Sequence, residues 1–366
     1  MSLSSAVPLI GAVDARLDAL LRDRDAELAA LHEDLGAGAQ QLRAFLQGGK
    51  RLRPQFCWWG WRAGGGRDAL QDCAPVIRVA AALELLQACA LIHDDLIDRS
   101  DTRRGRPAIH RAEAKRHADA GWSGDAEHFG VGMALLLGDL ALAWSDDEFV
   151  EGAAQLGALT RAQPVWRGMR TQVLAGQWLD LQISQQEPHL VDPAAALHTA
   201  ETVILLKTAG YTVTGPLLLG AALGGAPVPV LAGLQRYGTA IGTAFQLRDD
   251  LLGVFGEPEQ TGKPAGDDLR EGKRTVLLSR TRQHLAAAGD DAALRQLHNG
   301  VGTASSAADV DALRGIIRST DAPQSIEHEI TALVARAREE VRILPVDDTV
   351  RAGLDEIADR AAHRTA

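Results

Sequence analysis

Two acidic runs stand at the ends of apolar stretches, and each is followed by cations. The first reads Leu91-Ile92-His93-Asp94-Asp95-Leu96-Ile97-Asp98 and leads into Arg103-Arg104-Gly105. The second reads Phe245-Gln246-Leu247-Arg248-Asp249-Asp250-Leu251-Leu252 and leads towards Lys263 and Lys273. Carboxylates at the ends of apolar helices are costly to bury alone. Two such clusters can share hard cations, and Mg²⁺ takes oxygen ligands together with phosphate oxygens. Arginine and lysine nearby would hold the phosphates. The combination reads as a metal–diphosphate site.

Spacing assigns parts within each run. Asp94 and Asp98 share one helix face, with Cβ atoms about 5–6 Å apart, whereas Asp95 is turned away and suits a supporting role. In the second run Gly253 stands where a third aspartate would match Asp98. That run therefore offers fewer carboxylates, so Asp249 is expected to bind one cation and the first run two, with Asp267 or Asp268 assisting through water. Lys50, Arg51 and Arg53 follow Gly48-Gly49, where glycines let backbone approach an anion. Lys207-Thr208 lies in an otherwise apolar helix, and a buried lysine needs an anionic partner.

Other chemistries fit poorly. There is no Gly-x-x-x-x-Gly-Lys-Ser/Thr phosphate loop, no Cys/His spacing for structural zinc and no Gly-x-Ser-x-Gly elbow. His110, His117 and His128 fall in a polar stretch and are expected to be solvated. The formal net charge of −10 argues against a general nucleic-acid surface. Three cysteines, Cys57, Cys73 and Cys89, are too few for a disulfide scaffold and suit a reducing cytoplasm. No secretory signal is evident. Phe129 to Trp144 and Val203 to Leu234 are apolar, but Asp139, Lys207 and several prolines favour buried helices over transmembrane segments.

The positioning elements are helical. Apolar residues form 46% of the 366-residue chain and aromatics only 4%, a balance that favours Ala/Leu-rich helices over sheet. Periodicity predicts helices over about 9–35, 75–98, 131–157, 161–186, 193–223, 229–254, 271–287, 306–317, 323–341 and 347–363. Gly48-Gly49 breaks one helix and Pro54 suits the first turn of the next; the segment from Arg103 to Gly130 reads as a loop with a short helix. No linker divides the chain, so residues 1–366 are expected to form a single all-α domain, a bundle of long helices around a central cavity.

In this order the motifs resemble the trans-isoprenyl diphosphate synthases, or polyprenyl synthetases. The matching elements are Gly48-Gly49-Lys50-Arg51-Leu52-Arg53-Pro54, Asp94-Asp95-Leu96-Ile97-Asp98, Arg103-Arg104-Gly105, Gly176-Gln177-Trp178-Leu179-Asp180-Leu181, Lys207-Thr208, Phe245-Gln246-Leu247-Arg248-Asp249-Asp250, and Thr261-Gly262-Lys263-Pro264 through Lys273. The resemblance implies the isoprenoid synthase fold and three Mg²⁺ ions on an allylic diphosphate, held by Asp94, Asp98 and Asp249. It implies that Arg103, Lys207, Lys263 and Lys273 clamp that diphosphate, and that Thr208, Gln246 and the Lys207 carbonyl face the allylic cation. Isopentenyl diphosphate would take Lys50, Arg53, Gln87 and Arg104. The family is usually homodimeric, and the same is expected here.

Cys89 and Ala90, just before the first run, would set chain length. Neither is aromatic, unlike the blocking residues of the family's farnesyl makers, so geranylgeranyl diphosphate is the expected product, with Trp178 or Met133 as the floor. A longer polyprenyl or a farnesyl product is the alternative. A class I terpene cyclase would carry Ser/Thr and Glu where Leu252 and Gly256 follow Asp249, and a non-catalytic synthase subunit would be expected to lack an aspartate motif.

Overall fold

The computed structural model describes residues 6–35, 37–186, 192–256 and 266–362. It is all-α, apart from a two-stranded ribbon of two residues per strand. The chain separates into two compact units, Met1–Pro164 with Pro216–Pro227, and Val165–Gly215 with Val228–Ala366.

The first unit holds α1 (Ala6–Leu31), α2 (Ala37–Leu46), α3 (Leu52–Ala63), α4 (Leu70–Ile97), α5 (Ile109–Asp119), α6 (Ala126–Gln155), the start of α7 (Leu159–Ser184) and most of α9 (Gly215–Gly224). Helix α4 is its axis, with Ala81, Ala82, Leu83 and Leu85 fully buried, and it packs along α6, α3 and α1. Gly138 lets α6 approach α4, since a Cβ there would lie 2.1 Å from His93 Nε2. Helices α3 and α9 meet backbone to backbone: a Cβ on Gly60 would lie 1.9 Å from the Leu217 carbonyl oxygen, and one on Gly220 1.8 Å from that of Cys57.

In the second unit α8 (Pro193–Val203) runs into a π-helical stretch, Ile204–Thr214. The axis is α10 (Val228–Phe255), packed against that stretch and against the helices Ala322–Ile343 and Asp348–Ala362. Gly242 admits Ala209, and the buried Tyr237 hydroxyl donates to the Leu354 carbonyl at 2.7 Å. Close backbone contact between α10 and the π stretch fixes Lys207 and Thr208 relative to Gln246 and Asp249.

Several expectations need correction. The segment 103–130 holds the expected short helix, α5, but its end belongs to α6, which starts at Ala126, five residues before the predicted start, because Asp125 caps it by accepting from the Glu127 and His128 amides. His110 and His117 are accordingly buried, and the His117 ring packs against Trp122 and Phe129. The predicted helix 271–287 divides at Gly272 into Asp267–Glu271 and Val276–Ala288. A further helix, Asp291–Gly300, starts at an Asp290 cap. Three described helical stretches are long and apolar enough to cross a membrane. The one containing Phe129 to Trp144 is not the buried helix expected, since only 28% of its apolar window is covered.

Candidate active site

The first acidic run closes α4. Asp98 is the C-cap, and the helix ends in a Schellman motif: the Ser100 amide donates to the Asp95 carbonyl at 2.9 Å and the Arg99 amide to Leu96 at 3.4 Å. Arg99 takes the left-handed position usually given to glycine, with φ 53°. The run thus sits at the negative end of the helix dipole, which disfavours carboxylates and favours a cation beside them. Asp94 and Asp98 are half-buried, while Asp95 is 1% exposed. Arg103 Nε donates to Asp95 Oδ1 at 2.9 Å, and its Nη2 lies 3.6 Å from Asp94. Burial opposes the Arg103 charge, but Asp95, Asp94 and Asp98 together more than offset it and hold the pKa above its ordinary value. Burial pushes the Asp95 carboxyl up, against the pull of Arg103. Asp95 therefore holds Arg103 beside Asp94.

Arg103-Arg104-Gly105-Arg106 forms a tight ribbon, with Arg103 paired to Arg106. Arg104 and Gly105 both have positive φ, 53° and 72°, as a type I′ turn requires. The turn presents Arg104 at its tip, over Gly49: a Cβ there would lie 3.4 Å from the Arg104 guanidinium. Gly48 and Gly49, at φ 76° and 96°, take backbone conformations that side chains avoid. Lys50 is exposed and Arg53 half-buried. Gln87 and Arg104 line one small cavity together with Arg51 and Glu84. The buried Gln87 amide oxygen has no partner among the described residues. Burial and then the crowding charges of Arg51, Arg103 and Arg53 lower the Arg104 pKa, although Glu84 opposes them. Such a crowd of cations, with an unpartnered amide in the same cavity, suits a diphosphate.

Arg51 does something else. It is 5% exposed, donates to Glu84 at 2.6 Å, to Asp14 at 2.9 Å and to the Leu46 carbonyl, and has φ 48°. It anchors the glycine turn to α1 and α4. A glutamate inside an apolar helix demands a buried cation, so Glu84 was the available signal.

In the second unit Gly176 brings α7 against the π stretch, where a Cβ would lie 2.6 Å from the Lys207 amide. Asp180, one turn on, accepts from Lys207 Nζ at 2.8 Å. The anion expected for Lys207 is, in this structure, that carboxylate. Thr208 Oγ1 donates to Gln246 Oε1 at 2.5 Å, and Gln246 Nε2 donates to Asp250 Oδ1 at 2.8 Å. Asp250 is buried, and burial pushes its pKa up to about 8, with Asp268 and Asp249 adding to the rise against the Gln246 hydrogen bond. Asp249 is half-buried, on the last turns of α10. Lys273 lies 3.3 Å from Asp268 and 2.6 Å from Glu271. Lys263 lies outside the described residues. A cavity lined by Ile183, Arg274, Leu278 and Arg282 holds none of the predicted residues.

Cys89 is buried against α6, its sulfur 3.7 Å from His93 Nδ1, and burial pushes its pKa to about 12. Ala90 is half-buried beside it. Trp178 is 74% exposed, so it does not close a cavity floor within its unit. Among the described residues no group of three His, Cys, Asp or Glu side chains is placed to hold a metal ion. Mg²⁺ needs no such group, because it is bound through one or two carboxylates and completes its shell with water and substrate phosphates. Asp94 with Asp98, and Asp249 alone, fit that ion.

Residues 39–315 match the polyprenyl synthetase family, and the chain belongs to it. The (2E,6E)-farnesyl diphosphate synthase of Mycobacterium tuberculosis (strain ATCC 25618 / H37Rv) is 33% identical over 66% of this chain, which spans 59% of that protein. The geranylfarnesyl diphosphate synthase of Aeropyrum pernix is 32% identical, covering 86% of this chain and 88% of its own. The crystal structure of geranylgeranyl pyrophosphate synthase from Corynebacterium glutamicum, complexed with isoprenyl diphosphate and magnesium, superposes with a TM-score of 0.90 at 39% identity, over 98% of this chain and 99% of that one.

Proposed function

We propose that this chain is a Mg²⁺-dependent trans-prenyltransferase that condenses isopentenyl diphosphate with an allylic diphosphate and releases geranylgeranyl diphosphate. The observation that carries the reading is the pair of acidic runs, each on the closing turns of a long buried helix with cations beside it. Asp94, Asp98 and Asp249 would hold the ions, three in number by family likeness, and the bound ions would neutralise the leaving diphosphate. Arg103, Lys207, Lys263 and Lys273 add charge-assisted contacts to that group. Thr208 and Gln246, locked to each other, turn oxygen atoms towards positive charge developing on the allylic carbon. Lys50, Arg53, Gln87 and Arg104 hold isopentenyl diphosphate, whose double bond attacks that carbon. The released diphosphate accepts the final proton. The whole of 1–366 acts as one catalytic domain in this proposal.

Mass spectrometry of products from dimethylallyl and isopentenyl diphosphates tests it. A C20 diphosphate is expected; a cyclised hydrocarbon or no product would overturn the reading, and a longer diphosphate would correct the product alone. The same assay tests chain length. Ala90→Phe or Cys89→Phe inserts a ring one turn before Asp94, at an overpacking cost of about 1–3 kcal/mol. The product is expected to shorten to C15 or C10 with turnover retained. Active variants making the C20 product would show that this helix face does not line the chain's path.

The reading includes a cytoplasmic homodimer. The exposed row Val131, Leu135, Leu136 and Val150 on α6 supports a second copy as its cover. Sedimentation at micromolar concentration without detergent is expected to give twice 38.9 kDa. A monomer would overturn the dimer, and recovery only with lipid vesicles would place α6 against a membrane.

A further inference from the structure

The cavity of the second unit that holds none of the predicted residues is built from four helices. The end of α7 and the face of α8 supply one side, and the helices Val276–Ala288 and Asp291–Gly300 supply the other. Its apolar lining is deep: Leu278, Leu297 and Val301 are each no more than 6% exposed. Three basic side chains, Arg274, Arg282 and His298, line the same space and are half-buried. Helical phase explains the mixture. Leu278 and Arg282 are four apart and share one face of their helix, whereas Arg280 turns to the other side and pairs with Glu329. Burial pushes the Arg282 pKa below its ordinary value. Basic groups set among apolar walls match a ligand with an anionic head and an apolar tail. The head would take charge-assisted hydrogen bonds and the tail the apolar lining.

The cavity also adjoins the turn that carries Lys273. A Cβ on Gly272, at φ 74°, would lie 3.1 Å from the Gly302 Cα, next to Val301, and the Gly302 amide donates to the Leu269 carbonyl at 2.8 Å. Lys273 and Arg274 are consecutive in this non-helical turn but serve different places. Lys273 pairs with Asp268 and Glu271, while Arg274 lines the cavity.

We propose that this cavity is an effector site for an amphipathic organic anion, and that an anion held by Arg274 and Arg282 draws the turn towards the cavity and raises KM for the allylic diphosphate. The second clause rests on the reading of Lys273 as a contact to that substrate; the site itself does not. An isoprenoid phosphate and a straight-chain alkyl phosphate share the required chemistry.

Calorimetry on the full chain in EDTA tests the site, with decyl phosphate and geranyl monophosphate as probes, and the tighter of the two identifies the source. Decyl phosphate is expected to bind about tenfold or more tightly than inorganic phosphate, because its tail is buried. Arg282→Gln is expected to weaken it about tenfold or more, the scale of a lost charge-assisted contact. Ala196→Phe puts a ring into the cavity wall and leaves every cation in place, so it reaches the same loss by a second route if Arg282→Gln folds poorly. Arg53→Ala, in the isopentenyl diphosphate site, is expected to leave the affinity unchanged. Steady-state kinetics tests the coupling: decyl phosphate should raise the allylic KM severalfold in the parent and much less in Arg282→Gln, whose turnover without the probe matches the parent's. Inorganic phosphate binding as tightly as decyl phosphate would overturn the site. So would unchanged affinity in both Arg282→Gln and Ala196→Phe, or a loss confined to Arg53→Ala. An equal rise in KM in Arg282→Gln would mean direct competition at the catalytic site and would overturn the coupling. Lys273→Ala with an unaltered allylic KM would sink the reading of Lys273, while calorimetry would still report the site.

Discussion

Alanine at Asp94 or Asp98 is expected to reduce kcat/KM by roughly a thousandfold, the scale of losing one preorganised electrostatic contact to a transition state. The fold should survive. Both carboxylates lie at the C-terminal end of α4, where negative charge is disfavoured by about 0.3–1 kcal/mol, so removing one relieves repulsion. Asp95→Ala should behave differently, because it strips the nearest carboxylate from the half-buried Arg103 guanidinium and leaves Asp94, 3.6 Å away, beside it. Losing a charge-assisted hydrogen bond costs about 1.5–3 kcal/mol, so that variant should lose stability as well as activity. Steady-state kinetics at saturating Mg²⁺, paired with thermal denaturation, checks both. Near-parental rates in Asp94→Ala would remove the metal assignment.

Arg53→Ala is expected to raise KM for isopentenyl diphosphate far more than KM for the allylic substrate. The loss of a charge-assisted contact is worth about 2–5 kcal/mol. Lys263→Ala should show the opposite selectivity. Arg51→Ala, by contrast, should unfold the protein more readily rather than alter one KM, since its guanidinium is spent on Glu84, Asp14 and the Leu46 carbonyl. Initial rates with each substrate varied in turn separate these outcomes, and equal changes in both KM values for Arg53→Ala would dissolve the division between the two anion sites.

The residues that do the proposed chemistry were legible because they break a pattern. Asp94 and Asp249 interrupt long apolar runs, and Lys207 sits where a charge has no business unless it has a partner. What the pattern hides is tertiary. The Asp180–Lys207 pair joins residues 27 positions apart on different elements, and nothing in either local stretch names the other. The π stretch Ile204–Thr214 packs on α10, and no local pattern sets its widened turn apart from the α-helix expected over 193–223. His110 and His117 lie in a polar sequence yet are buried, because α5 packs against α6 and polarity of a stretch does not by itself mean exposure. Caps were the other blind spot. Asp125 and Asp290 cap helices that start outside the predicted helical ranges.

The crossing of α3 and α9 bears on how this chain can be changed. Gly60 and Gly220 each face a carbonyl oxygen closer than 2 Å to where a first side-chain carbon would be. Neither residue does any chemistry, and neither would be chosen by a search for reactive groups. Yet an added methyl meets rigid main chain there, whereas a changed charge in the ligand-binding loops meets solvent and movable side chains. Random mutagenesis scored on soluble expression should therefore find these two positions among the least tolerant in the protein. The freedom to evolve a new product would lie around the reacting residues, and the veto on it in a pair of glycines that never touch a substrate.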